Sequence, residues 1–86
     1  MGTTRVRIEL CGRLADTCGR ELDFDLPAGG LPVSAVMAAL GEAHPALGEA
    51  LAGGRIRACV NEAIVPAAAL VRPGDRVALF PPVSGG

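Results

Sequence analysis

Gly74-Asp75-Arg76-Val77-Ala78-Leu79-Phe80-Pro81-Pro82-Val83-Ser84-Gly85-Gly86 closes the sequence, and it holds two kinds of chain in one stretch. Pro73-Gly74-Asp75 signals a turn. From Arg76 to Phe80 the residues alternate as in a strand, with Val77 and Leu79 on one face and Ala78 and Phe80 on the other. Pro81-Pro82 then ends the strand. Proline has no N–H for a ladder, and its fixed φ favours an extended segment. Val83 and Ser84 are small, and Gly85 and Gly86 carry no Cβ. Six extended residues reach at most ~20 Å. The pattern describes a strand that launches a slim tail with a stiff base, able to enter a narrow channel on another protein. The α-carboxylate of Gly86 stands at its tip, with no neighbouring side chain to obstruct attack on it.

Upstream, the chain supplies what such a strand must pair with. Residues 5–10 alternate Arg5, Arg7 and Glu9 against Val6, Ile8 and Leu10, the period of a half-buried strand. Residues 21–26 alternate again, with Glu21, Asp23 and Asp25 outward and Leu22, Phe24 and Leu26 inward. The two fit an antiparallel pair in which arginines face acids. Residues 11–20 read as a connection with a turn of helix. Pro27-Ala28-Gly29-Gly30 breaks the second strand. Ser34 then suits a helix N-cap, and Val36, Met37 and Leu40 share one side of a helix over 34–43 that Pro45 stops. Residues 46–52 allow one or two further turns. A third strand over 55–60 leads to an Asn61-Glu62 turn and a short return strand at Ile64 and Val65. The expected core is Val6, Ile8, Leu10, Leu22, Phe24, Leu26, Val36, Met37, Leu40, Ile56, Ala58, Val60, Val77 and Leu79. Strands with one main helix on one face make an α+β layer pair.

Length and composition bound the function. Eighty-six residues make one domain with one modest core. Half of them are hydrophobic, so the chain is expected to fold. The formal charge of −1 argues against a nucleic-acid binder, and Phe24 and Phe80 are too few aromatics for a stacking platform. All eight cations are arginine, so neither Schiff-base chemistry nor a P-loop lysine is available. Cys11, Cys18 and Cys59 are an odd set without a C-x-x-C pair and read as reduced thiols, not as a zinc site. His44, the sole histidine, reads as a helix-end residue and not as a catalytic base. No metal and no bound cofactor is expected. The first residues carry no apolar signal segment, and no run suits a membrane span, so a cytoplasmic location is expected.

The strand–strand–helix–strand order with a terminal Gly-Gly resembles the β-grasp, ubiquitin-like sulfur carriers. Residues 74–86, and Phe80-Pro81-Pro82-Val83-Ser84-Gly85-Gly86 above all, resemble the small subunit of molybdopterin synthase within that group. Arg57-Ala58-Cys59-Val60-Asn61-Glu62 is similar to the third strand and Asn turn of the same family. The likeness spans essentially the whole chain, and its specific part is the last thirteen residues. It implies a β-grasp domain over 1–80, with a mixed sheet of four to five strands, and a flexible tail over 81–86. It also implies a carrier cycle. An adenylyltransferase of the ubiquitin-activating type uses ATP to adenylate Gly86, and a sulfur donor converts it to a thiocarboxylate. The large synthase subunit then accepts the tail and transfers the sulfur to a pterin precursor, in a heterotetramer. In that cycle Gly86 carries the sulfur and Gly85 passes a constriction. Pro81 and Pro82 aim the tail, Phe80 anchors the partner, and Val83 and Ser84 join them in binding it. Such a chain is not catalytic alone and engages neither nucleic acid nor membrane.

The residues leave alternatives open. Phe80 fits either a partner anchor or a core aromatic. Arg13, Arg57 and Arg76 fit an interface rim less well than they fit solvated surface charges. The same tail chemistry serves thiamine, cysteine or transfer-RNA thiolation. A ubiquitin-like modifier joins Gly86 to lysines of other proteins, and a plain interaction module uses neither glycine.

Overall fold

The computed structural model describes residues 2–81. The first strand, β1 (Thr3–Leu10), pairs antiparallel with β2 (Glu21–Pro27), and in this register Arg5 faces Asp25 and Arg7 faces Asp23. Arg5 Nε lies 3.4 Å from Asp25 Oδ1, and Arg7 Nε lies 3.8 Å from Glu21 Oε1. Both pairs are exposed, so they favour the register and add little stability. Between these strands sits α1 (Arg13–Cys18), whose Leu14 is buried. After β2 come β3 (Leu31–Pro32), α2 (Val33–Ala43) and α3 (Pro45–Ala52). Then follow β4 (Arg57–Val60), β5 (Ala63–Val65), β6 (Leu70–Val71) and β7 (Val77–Phe80).

Five strands form one mixed sheet in the order β2-β1-β7-β4-β5. The last strand is therefore central. It runs parallel to β1, with Leu10 beside Leu79, and antiparallel to β4, with Ala58 beside Leu79. This is the β-grasp arrangement expected from the sequence. One sheet face is closed by the helices. Val6, Ile8, Leu10, Leu26, Ala58, Val77 and Leu79 from the sheet bury against Val33, Val36 and Leu40 of α2, Leu14 of α1 and Leu47 of α3. Burying one such side chain contributes about 1.5–3 kcal/mol. The other face is open and carries the charged halves of β1 and β2 beside Ala78 and Phe80 of β7.

Several expectations are corrected. Ser34 is not the N-cap: α2 begins at Val33, Pro32 occupies the cap position, and no side chain caps it. The reason lies far along the chain. Val33 N donates to Ala69 O at 2.8 Å, and Ser34 N donates to Ala67 O at 2.9 Å. Backbone carbonyls thus satisfy orphan donors that a cap would otherwise take. Pro45 does stop α2, but it also opens α3 from the first position, where its missing N–H costs nothing. His44 links the two helices, as a helix-end residue should. The third strand begins at Arg57 instead of residue 55. Leu22, Phe24, Met37, Ile56 and Val60 only flank the core, whereas Leu14, Val33, Leu47 and Val71 complete it. Val71 belongs to a two-stranded sheet, β3 with β6, that the sequence reading missed.

Candidate functional site: the base of the C-terminal tail

The candidate site begins where β7 leaves the sheet. Val77 and Leu79 are buried, while Ala78 and Phe80 alternate onto the open face. Phe80 is half-buried and lies opposite Arg57 of β4. It is therefore not part of the helix-side core. Cys59 lies opposite both Ala78 and Ile64, so Ala78, Cys59 and Ile64 form a row across the open face. Ile64 is 68% exposed, the most exposed large apolar side chain among the described residues. A shallow groove on the same face is lined by Arg7, Glu9, Cys59, Arg76 and Ala78 among others. Arg13, Arg57 and Arg76 are all exposed, and none makes a salt bridge among the described residues.

Pro81 is the last described residue. Its ring lies beside Gly12: a Cβ built at Gly12 would be in ordinary contact with it, 3.5 Å from Pro81 Cγ and 3.6 Å from Cδ. Pro82, Val83, Ser84, Gly85 and Gly86 lie outside the described residues. The structure thus brings together Phe80, Pro81 and the Cys11–Gly12 corner. The corner's part was missed in the sequence. Its only local signal is a glycine at the start of a short helix, which reads as an ordinary loop residue.

The far end of β7 is held by a polar network. Asn61 Nδ2 donates to Asp75 Oδ1 at 3.0 Å, and Arg76 N donates to Asn61 Oδ1 at 3.0 Å. Arg72 N donates to Asp75 Oδ2 at 2.8 Å. The Arg72 backbone bond and then the Asn61 bond hold the Asp75 carboxyl below its ordinary value of 3.8. Among the described residues no three His, Cys, Asp or Glu side chains gather as metal ligands, and no helix is long and apolar enough to cross a membrane.

A five-stranded mixed sheet with helices on one face and a central last strand leading into the tail defines a ubiquitin-like β-grasp protein. The sequence profile of the ThiS family matches residues 8–86, and the chain belongs to that family of ubiquitin-like sulfur carriers. Among solved structures it is similar to small archaeal modifier protein 1 (SAMP1) of Haloferax volcanii. The two are 31% identical, with 95% of this chain and 99% of that one covered and a TM-score of 0.79. The SAMP1 of Methanosarcina acetivorans is 24% identical over the full length of both chains, with a TM-score of 0.77. A Pyrococcus furiosus protein described as a molybdopterin converting factor, subunit 1, is 22% identical. There 93% of this chain and 99% of that one are covered, with a TM-score of 0.75. The last two likenesses speak to fold alone. No curated protein matches the sequence.

Proposed function

We propose that the chain is the sulfur-carrying small subunit of a molybdopterin synthase, with Gly86 as the group that is activated and thiolated. The observation that carries this reading is the placement of β7. A central strand, fixed on both sides, ends at Phe80 and passes directly into Pro81-Pro82-Val83-Ser84-Gly85-Gly86. A free carboxylate is a poor electrophile. Attack of the Gly86 carboxylate on the α-phosphorus of ATP, with loss of pyrophosphate, gives an acyl-adenylate with a good leaving group. Hydrosulfide then adds to the acyl carbon, the C–O bond to phosphate breaks and AMP leaves. The thioacid formed loses its proton. Its sulfur is the nucleophile, as in a thiolate. Insertion of the tail into a large subunit gives that sulfur a high effective concentration at the acceptor. The acid, the base and the substrate pocket belong to the partners. ATP serves the activating adenylyltransferase, and no cofactor is assigned to this chain. The cycle implies a cytoplasmic protein, since that is where ATP and the activating enzyme meet it.

The test is intact mass after incubation with ATP, a matching adenylyltransferase and sulfide. Replacement of one oxygen by sulfur, mapped to Gly86, is expected. Addition of a large synthase subunit and pterin precursor should then discharge the sulfur. An unchanged mass with a competent activating enzyme would sink the carrier reading. Sulfur loaded but never discharged would instead point to a thiamine, cysteine or transfer-RNA pathway.

The similarity to SAMP1 supports a second reading, in which Gly86 is joined to lysines of other proteins. Immunoblots of cells expressing the tagged chain separate the two. A modifier gives a ladder of larger species, and a pure carrier gives one band.

A further inference from the structure

The loop after β1 is tied down at more points than a surface connection needs. Cys11 N donates to Leu79 O at 3.0 Å, which extends the parallel β1–β7 pairing one residue past Leu10. Leu14 N returns to Cys11 O at 3.2 Å, and Ala15 N returns to Gly12 O at 3.0 Å. Leu10 N donates to Arg20 O at 2.7 Å and closes the loop at its far end. Leu14 is 3% exposed and pegs the loop into the core. Gly12 itself holds φ 58° and ψ −132°, a mirror-image extended conformation open in practice to glycine alone. That conformation turns the chain back toward the last strand, and the Pro81 ring lies beside the corner, 3.5 Å from the place a Gly12 Cβ would take.

We propose that the Cys11–Gly12 corner is a seat that aims the C-terminal tail, with Gly12 acting through Pro81 as a positioning residue. The inference rests on the carrier or modifier reading of Gly86 and applies to both. Five residues follow Pro81, and fully extended they span ~17 Å. Displacements of ~1 Å at a reacting centre can cost ~100-fold in rate. A proline fixes its own φ but not the direction in which its ring points. That direction needs an outside surface, and the glycine corner supplies it. Leu79 O, bonded to Cys11 N, holds the strand end against the same corner.

The experiment combines Gly12→Ala, Pro81→Gly and the double variant with ATP–pyrophosphate exchange catalysed by the matching adenylyltransferase. Gly12→Ala should lower kcat about tenfold with KM unchanged, because the domain still docks while the tip is misplaced. Pro81→Gly should lower kcat similarly with an unaltered melting temperature, since its ring lies outside the core. The double variant should be no slower than Pro81→Gly alone, because Gly12→Ala strains the corner's left-handed backbone and acts on the tail only through the Pro81 ring. Equal fold-losses for Gly12→Ala in the two backgrounds would overturn the proposal, as would an unaltered kcat in a folded Gly12→Ala protein. If Gly12→Ala does not fold, two other readings decide. Pro81→Gly must slow exchange, and the wild-type protein must show nuclear Overhauser contacts between Gly12 Hα and the Pro81 Hγ and Hδ protons. The absence of either overturns the seat. Failure of the wild-type chain to support any exchange, with that contact present, would instead sink the tail-activation reading.

Discussion

Asn61 and Glu62 hold φ of 52° and 71° and form the whole turn between β4 and β5. Two left-handed residues suit the twist of a tight hairpin. Asn tolerates that conformation, and here its side chain also bonds Asp75 and the backbone of Arg76. The two contributions separate by substitution. Asn61→Gly keeps the backbone and loses two exposed hydrogen bonds, an expected cost of about 1 kcal/mol. Asn61→Ala adds the left-handed penalty and should cost about 1–2 kcal/mol more. Urea denaturation measures both, and a neutral Asn61→Gly would show the side-chain bonds to be worthless. Asp75 gives the same network a pH signature. Its carboxyl is held below the ordinary 3.8 by the Arg72 backbone bond first and the Asn61 bond second. A depressed carboxyl stabilises the fold above its unfolded value, and that share is lost as pH falls through the lower folded value. The melting-temperature gap between wild type and Asp75→Asn should therefore be constant near neutrality and close below pH 3.8. A gap that stays constant into acid would refute the assignment.

At the scale of elements, α2 and α3 cross with glycine against glycine. A Cβ at Gly48 would sit 2.8 Å from Gly41 O, while one at Gly41 would sit 3.2 Å from Gly48 Cα. Helix propensity alone predicts that Gly48→Ala stabilises by about 1 kcal/mol. The close approach predicts the opposite, since backbone must move, with a net loss of about 1–2 kcal/mol. Thermal unfolding of the variant gives the sign, and a stabilised protein would mean that the helices separate easily. Such contacts mark where the sequence stops being legible. The strands of the main sheet announce themselves through alternation, and the Asn61-Glu62 turn through residue type. Ser34 misleads because a cap is a local inference, and the partners of Val33 N and Ser34 N are the distant carbonyls of Ala69 and Ala67. The β3–β6 pair is invisible for the same reason: two residues on each side carry no period, and Val71 is buried because the chain brings it back against Leu31 and into the common core. The tail reads well because its chemistry is local. Its seat on Gly12 does not, because it joins opposite ends of the chain.

For the whole molecule, the two faces of the sheet divide the labour. The helix side holds the buried residues, and the open side holds charge around Ala78, Cys59, Ile64 and Phe80. Phe80 therefore tests what the open face is for. If it serves the fold, Phe80→Ala should behave as a core deletion and cost about 3–5 kcal/mol of stability. Its half-buried place opposite Arg57, on the side away from Val77 and Leu79, argues for a smaller loss of about 1–2 kcal/mol. If it anchors a partner at the root of the tail, the larger effect should fall on association. Aromatic anchors at interface centres cost about 2 kcal/mol or more on truncation, roughly a 30-fold weaker complex. Paired measurements decide between these: urea unfolding of the free chain, and titration of the same variant against the activating adenylyltransferase by calorimetry. A folded variant that binds about 30-fold more weakly assigns Phe80 to the interface. A large stability loss with unchanged affinity per folded molecule would return it to the core and leave the tail alone to make the contact. Pro81→Gly serves as the internal reference, because it should slow exchange without weakening the docked complex.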